Sequence, residues 1–297
     1  MKRWLLISLL AIGAYAQAPD ELDTAYNNLK AAQEKKDAAE VEKWASATSA
    51  LARQVIAKSA SDEDKSKADY ARQVDTYTEY ALYAMALQTT DPAAIVKLVE
   101  ALEKQNAKSE YLPQVYSRYL NALRQTGKAD KAGAAAERAV ASDPNNEEAL
   151  LAAADYYLQK NNEPDKTVQY ATRAADAMNA KTKPDAMSDA DWQKKKQAVL
   201  GRALWIQGVS YSNQGKNAQA DKALRAALPL VKGDDQLTAL GAFYLGMADY
   251  KMGGASKNKA QLRDALGFFE QSAAIKSAVQ AQAQKNVKAI RGELGMK

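Results

Sequence analysis

Between Pro113 and Asn146, small and apolar residues recur every three or four positions in two runs. This spacing places the apolar side chains on one face of each of two successive helices. A polar turn at 126–128 divides the two runs, and Asp143-Pro144 closes the segment. The pattern therefore predicts a helix–turn–helix unit. Its apolar positions are Tyr116, Tyr119, Leu120, Leu123, Ala132, Ala136 and Ala139.

The same order of residue types returns elsewhere in the chain. One further match begins near Leu150, and another begins near Leu245, with an insertion predicted in the loop at 254–259. Because the turn glycines and small residues return in the same order, the pattern indicates a repeat. Counted from Gly201, the matching positions are Leu204, Gly208, Tyr211, Gly215, Ala220, Leu224 and Ala227.

The 34-residue unit at 113–146 resembles a tetratricopeptide repeat (TPR). The resemblance implies a stack of helix pairs, since one pair cannot bury its apolar face alone. Gly208 is then expected to face an alanine of the second helix, and Ala132 and Ala220 are expected where two helices touch. A generic alanine-rich bundle is the alternative, because small residues recur at similar spacing there.

The predicted fold class is all-α, a TPR-like α-solenoid of antiparallel helix pairs with a C-terminal capping helix. Residues 17–297 are expected to form one solenoid domain. The predicted segments are a signal peptide at 1–16, degenerate helical repeats at 17–110, two TPR-like units at 111–180, an insertion and helix start at 181–196, two TPR-like units at 197–276, and the capping helix at 277–297.

Two local signals refine this picture. Ser188 and Asp191 have the spacing of a capping box, which predicts a helix that begins there and ends near Asn213. On a long helix ending near Gln88, a stripe at three- and four-residue spacing is predicted to face the core. The members of that stripe are Tyr70, Val74, Tyr77, Ala81 and Ala84.

The first sixteen residues have the layout of a secretory signal peptide: a basic start, an apolar run at 4–12, and small residues at Ala14 and Ala16. The apolar run is shorter than the roughly twenty residues of a membrane span, although an uncleaved anchor is the alternative. The chain has no cysteine, which excludes lipid attachment through a cysteine. We therefore expect a periplasmic or secreted protein without stable membrane insertion after cleavage.

The composition argues against several classes of chemistry. The chain has no histidine and no cysteine, so zinc, copper and haem sites are not expected, and no cofactor is predicted. Basic residues number 41 and acidic residues 36, a near balance that does not indicate nucleic-acid binding. An enzyme is not predicted, although carboxylate, Ser/Lys or Tyr chemistry stays open.

The TPR resemblance also implies a binding groove lined by the first helix of each pair. Surface aromatic residues in such a groove suit recognition of peptide or helix segments of other proteins. The alternative is that Trp205 and Phe243 pack against each other or against the capping helix. At the groove positions that the resemblance implies, this chain has Asn121, Arg124, Asp155, Arg202, Trp205, Asn213, Phe243, Met247 and Tyr250.

Two function classes follow from these observations. The favoured one is a non-enzymatic scaffold or adaptor in the periplasm or cell envelope that binds partner proteins or peptides. The alternative is a structural envelope component that acts through self-association or contact with a polymer. The sequence gives no prediction of the oligomeric state.

Overall fold

The computed structural model describes residues 20–58 and 65–296, and within them every regular element is an α-helix. The predicted signal peptide at 1–16 lies outside these residues. The all-α class predicted from the sequence is confirmed. Contacts divide the chain into unit 1 (Met1–Ser109) and unit 2 (Glu110–Lys297). The division falls next to the boundary predicted at 110, and the single solenoid domain stays a prediction.

Unit 1 contains two antiparallel helix pairs. We call the first helix of each pair the A helix and the second the B helix. Each helix packs against the next, while α1 also contacts α3 and α2 also contacts α4, so that the A and B helices form two layers. The helices are α1 (Glu21–Glu34), α2 (Ala38–Lys58), α3 (Lys65–Gln88) and α4 (Pro92–Gln105).

Unit 2 continues the same alternation with four further pairs and a final helix. Successive A helices contact each other, from α5 through α7 and α9 to α11, and each B helix lies between consecutive A helices in sequence. The helices are α5 (Leu112–Gln125), α6 (Ala129–Ser142), α7 (Glu147–Lys160), α8 (Pro164–Ala180), α9 (Asp189–Asn213), α10 (Asn217–Ala227), α11 (Asp235–Ser256), α12 (Lys259–Ala273) and α13 (Gln280–Leu294).

The helix ends follow local signals in the sequence. Pro92 opens α4 after Asp91, whose carboxylate accepts from the Ala93 N–H at 2.9 Å. Ser188 caps α9 as predicted, by accepting from the Asp191 N–H at 3.1 Å. A capping box also predicts that the Asp191 carboxylate accepts from the Ser188 backbone N–H. This part of the prediction is wrong, because the carboxylate accepts from the Ser188 hydroxyl instead.

The predicted loop insertion at 254–259 is largely helical. Helix α11 continues to Ser256, and the chain turns only at Lys257, which has a positive φ of 53°. Asn258 then caps α12 by accepting from the Ala260 N–H at 3.0 Å. The additional residues therefore lengthen the A helix by about one turn.

Small residues in the A helices allow close approach of the B helices. A Cβ added at Gly208 would lie 2.4 Å from Leu224 Cγ, and one at Gly246 would lie 3.1 Å from the Phe269 ring. The glycines thus face a large residue of the partner helix, which corrects the expectation that Gly208 faces an alanine. A Leu or Phe side chain rests on the backbone of the A helix where a Cβ would otherwise stand.

The two predicted alanine contacts differ in burial. Ala220 is fully buried, as expected. Ala132 is only partly buried, and its neighbour Gly133 makes the tight contact instead. A Cβ at Gly133 would lie 2.3 Å from the Tyr156 ring on the following A helix.

A buried carboxylate on α7 forms ion pairs with two lysines of the predicted insertion at 181–196. Glu147 is almost fully buried and pairs with Lys195 at 2.9 Å and with Lys181. Burial alone would raise the pKa of Glu147, but the hydrogen bonds from the two lysines outweigh it and hold the pKa below its usual value. The ion pairs stabilise the long connection between α8 and α9.

The C-terminal helix covers the last pair, as the predicted capping helix should. Ile290 and Ala283 of α13 are buried against Phe269 of α12, with Val287 and Leu294 packed beside them. Burial of this apolar face keeps the end of the stack from exposing its core.

Substituting Gly208 by alanine should destabilise unit 2. The new Cβ would collide with Leu224. Overpacking of this kind lowers the free energy of unfolding by about 1–3 kcal/mol, which outweighs the increase of about 1 kcal/mol from the better helix propensity of alanine. Gly267→Ala is the matched control, since open space surrounds Gly267 on α12 and only the propensity gain applies. Urea unfolding of both variants tests this, and equal stabilisation by the two substitutions would contradict the contact.

Candidate functional site

The A helices of unit 2 carry the nine residues predicted to line a groove. Three of them are exposed or half-exposed: Asn121 and Arg124 on α5, and Asn213 at the end of α9. The Arg124 guanidinium donates a hydrogen bond to the Asn121 side chain within α5. The other six make contacts between neighbouring helices.

Asp155 and Arg202 connect two successive A helices. The Arg202 guanidinium on α9 donates to the Asp155 carboxylate on α7 at 2.5 Å, and both side chains are partly exposed. The same guanidinium lies 4.7 Å from the centroid of the Trp205 ring. The ion pair therefore connects α7 and α9 beside the Trp205 ring.

Trp205 lies inside unit 2, with only 5% of its surface exposed. Its indole N–H donates to the Leu237 carbonyl of α11 at 2.9 Å. A Cβ at Gly241 would lie 3.2 Å from the indole, so this glycine makes room for the ring. Trp205 therefore packs between two A helices, and its prediction as an outward groove residue is corrected.

Phe243, Met247 and Tyr250 on α11 are partly buried against the cluster that contains α13. Phe243 meets Phe269 edge-on at 5.7 Å between ring centroids. The Tyr250 hydroxyl donates to Glu293 of α13 at 2.7 Å. For Phe243 the alternative of packing against the capping helix describes the structure, and Met247 and Tyr250 pack in the same place. A binding role for the three residues stays a prediction.

Unit 1 carries an aromatic surface that the sequence analysis missed. Of the four large hydrophobic residues with high exposure in the described chain, three lie on α3: Tyr70 (40%), Tyr80 (44%) and Leu87 (40%). Together with Tyr77 of α3 and Tyr26 of the neighbouring α1, we call these five residues the tyrosine surface.

The predicted core-facing stripe of α3 divides between two faces. Val74 and Ala81 are buried as expected, whereas Tyr70 is exposed, and Tyr77 and Ala84 are only partly buried. The signal that could have revealed this surface is the second stripe on α3, since positions 70, 77, 80, 84 and 87 follow a heptad-like spacing beside the core stripe.

Contacts between α1 and α3 hold the rings of Tyr26, Tyr70 and Tyr77 in place. The Tyr70 hydroxyl donates to Asp23 at 2.7 Å, and the Tyr77 hydroxyl donates to Gln33 at 2.7 Å. The Tyr26 and Tyr77 rings meet at 89° with 5.3 Å between centroids.

Three phenols of this surface, those of Tyr26, Tyr70 and Tyr77, have raised pKa values and are neutral at physiological pH. Burial, followed by the hydrogen bond to Asp23, raises the pKa of Tyr70 well above its usual value. Burial likewise raises the pKa of Tyr26 and Tyr77. At these three positions the surface therefore offers uncharged aromatic rings that are held by contacts between α1 and α3.

Comparisons with known proteins give a fold-level likeness. A scan against protein-family models finds no match, and neither does a search of curated proteins. Among solved structures, the apo form of RapI is 13% identical, with a TM-score of 0.46 over 93% of this chain and 72% of its own. The thermophilic TPR protein TTC0263 of Thermus thermophilus is 15% identical, with a TM-score of 0.35 over 71% of this chain and 98% of its own. Since both TM-scores are below 0.5, the fold assignment rests on the helix packing described above.

Two kinds of site are not formed by the described residues. Residues 20–58 and 65–296 contain no group of three or more potential metal-binding carboxylates in suitable positions. In the same ranges, no helix combines the length and apolar character needed to cross a membrane.

A cluster of charged residues around the buried Asp249 joins α10, α11 and α12. Asp249 of α11 is fully buried and accepts from Arg225 of α10 at 2.6 Å and from Gln261 of α12 at 3.3 Å. Arg225 also pairs with Asp221 at 2.6 Å. Burial raises the pKa of Asp249 to about 6, with Gln261 and Arg225 acting in the opposite direction. The cluster is therefore a structural contact within unit 2, and its contribution to stability is expected to depend on pH.

Unit 2 should become more stable as the pH falls from 7 to 5. Folding raises the pKa of Asp249. Its stabilising contribution to the free energy of unfolding is therefore largest in acid and is lost as the pH rises through about 6. The expected change in unfolding free energy is about 1 kcal/mol. Chemical unfolding of the wild type and Asp249→Asn at both pH values measures it.

The Asp249→Asn variant is the control, because it keeps the shape and loses the titration. Glu137 and Glu147 have lowered pKa values, so their contributions change only at more acidic pH and leave this window unaffected. The same pH dependence in both proteins would show that Asp249 is not its source.

Proposed function

We propose that the chain is a non-enzymatic scaffold for protein–protein interaction, which binds partner segments on the outward faces of its A helices. The observation that carries the proposal is the tyrosine surface of unit 1. Three of its side chains are at least 40% exposed although the neighbouring residues of α3 are buried in the core. Exposed aromatic patches of this kind are typical of interaction sites.

Rigidity of the surface supports the same function. Tyr70 and Tyr77 are hydrogen-bonded to α1, so their rings lose little conformational freedom when a partner binds. Tyrosine combines a large contact area with few rotatable bonds, which favours its use in binding surfaces. The polar residues of unit 2 with accessible side chains, among them Asn121, Arg124 and Asn213, provide polar contacts for the same role.

The proposed location is the periplasm or cell envelope. The basic start, the apolar run and the small residues before Gln17 in the sequence support export and cleavage. In that compartment a scaffold would hold segments of other envelope proteins.

Site-specific photo-crosslinking in cells tests the proposal. A benzophenone amino acid at Leu87, on the tyrosine surface, should give adducts with other proteins. The same group at Ala50, an exposed position on the B helix α2, is the matched control and should give few. Equal protein adducts at both positions, or adducts only with polymer or with a second copy, would contradict the scaffold and favour a structural envelope component.

The protein recovered from that experiment also tests the location. Its intact mass in the envelope fraction should correspond to a chain that begins at Gln17, because Ala14 and Ala16 satisfy the cleavage rule. A mass that includes residues 1–16 would indicate an uncleaved anchor instead.

A further inference from the structure

We infer that a pocket of unit 2, formed by α10, α11, α12 and the connection before α11, binds a small amphiphilic anion. Such a ligand has an apolar body and one negatively charged head group. The site is separate from the tyrosine surface and does not depend on the proposed function. The pocket has a volume of about 390 Å³ and is lined by Arg225, Leu228, Pro229, Lys232, Thr238, Leu245, Phe268 and Gln271.

Four apolar side chains form the walls of the pocket. Leu228 and Pro229 follow the end of α10, Leu245 lies on α11, and Phe268 lies on α12. Leu228 and Phe268 pack against the core of unit 2 but stay partly exposed. The volume is that of small-molecule sites, which combine apolar walls with a few polar groups. The walls therefore favour a ligand whose body is apolar.

The polar groups that line the pocket favour a negatively charged head group. Two of the eight lining residues, Arg225 and Lys232, are cations, and none is a carboxylate. Lys232 is exposed in the connection between α10 and α11, and it has no ion-pair partner in the described part of the chain. A negative head group would meet a complementary charge there, whereas a positive one would be repelled.

The Arg225 guanidinium is held in place before any ligand binds. Its Nε donates to Asp221 at 2.6 Å, its Nη2 donates to Asp249 at 2.6 Å, and its Cζ lies 5.0 Å from the centroid of the Phe268 ring. Within the described residues, the third nitrogen, Nη1, has no hydrogen-bond partner. A guanidinium fixed in this way loses little freedom on binding, and Nη1 is left to donate to an anionic head group.

The carboxylates around Arg225 partly balance its charge, and they make the affinity for an anion depend on pH. Asp221 pairs with the guanidinium, and Asp264 lies 4.0 Å from it. Asp249 is fully buried, and burial raises its pKa to about 6, with Gln261 and Arg225 acting in the opposite direction. When Asp249 takes up a proton, one negative charge beside Arg225 is lost. An anion should therefore bind more tightly at pH 5.5 than at pH 7.5. The chain has no histidine that would titrate in this interval.

An NMR titration of the full chain with octanesulfonate, below its micelle concentration, tests the inference. The sulfonate keeps its negative charge at both pH values, so only the protein titrates. Methanesulfonate has the same head group without the apolar body, and octyltrimethylammonium has the same body with a positive head group. Octanesulfonate should bind at least about tenfold more tightly than either comparison ligand, and the amide shifts that change should be those of the pocket residues.

Variants of unit 2 locate the site. Lys232→Glu reverses the charge of an exposed side chain at the pocket and should weaken binding of octanesulfonate about tenfold. Lys285→Glu, at an exposed position of α13 that does not line the pocket, is the matched control and should leave the affinity unchanged. Phe268→Ala removes a wall and should also weaken binding. Circular dichroism shows whether each variant is folded, and the two lysine variants decide the result if Phe268→Ala unfolds.

Three results would overturn the inference. One is equal binding of octanesulfonate and octyltrimethylammonium, and another is unchanged affinity in Lys232→Glu. The third is an affinity that is the same at pH 5.5 and pH 7.5, because the head group would then lie away from Asp249 and Arg225.

A peptide that ends in leucine presents the same chemistry through its terminal carboxylate. A hexapeptide tested as the free acid and as the amide distinguishes this source. Tighter binding of the free acid than of octanesulfonate would assign the pocket to a chain terminus and overturn the small-molecule ligand. None of these results affects protein adducts at Leu87, so the inference and the proposed function can fail separately.

Discussion

Close contact between the two helices of a pair is the interaction on which unit 2 depends. At Gly208 and Gly246 the A helix has no side chain, so Leu224 and Phe269 of the B helices rest directly on its backbone. This approach allows thin layers of alanine-rich helix to bury a continuous core. It also brings successive A helices close enough for Trp205 of α9 to hydrogen-bond with α11.

The aromatic residues of the two units have different environments. In unit 2, Trp205 is covered by α11, and Phe243 packs in the cluster that contains α13. In unit 1, Tyr70 and Tyr80 lie on the outward side of α3, where contacts with α1 and between rings fix them without burying them. Burial, more than residue type, therefore distinguishes an aromatic residue of the core from one available to a partner.

The pattern of periodic and capping residues predicted the helix pairs, the start of α9 at Ser188 and the covering role of α13, because these features depend on short segments of sequence. It could not predict the environment of Trp205, since an A helix contacts both its own B helix and the next A helix, and one periodic stripe does not separate these faces. Gly241 was an available signal, as a glycine inside an apolar helix marks a position that a large neighbour approaches. For α3, two interleaved stripes of similar spacing produced a single predicted face.

The most direct test of this distinction is the free energy of unfolding of Trp205→Ala and Leu87→Ala, measured in parallel by urea denaturation. Trp205 is enclosed by packed helices, so its truncation should cost about 3–5 kcal/mol. Leu87 is 40% exposed on the tyrosine surface, and its truncation should cost less than about 1 kcal/mol. A loss of several kcal/mol at Leu87, or a negligible loss at Trp205, would contradict the assignment of one residue to the core and the other to a binding surface.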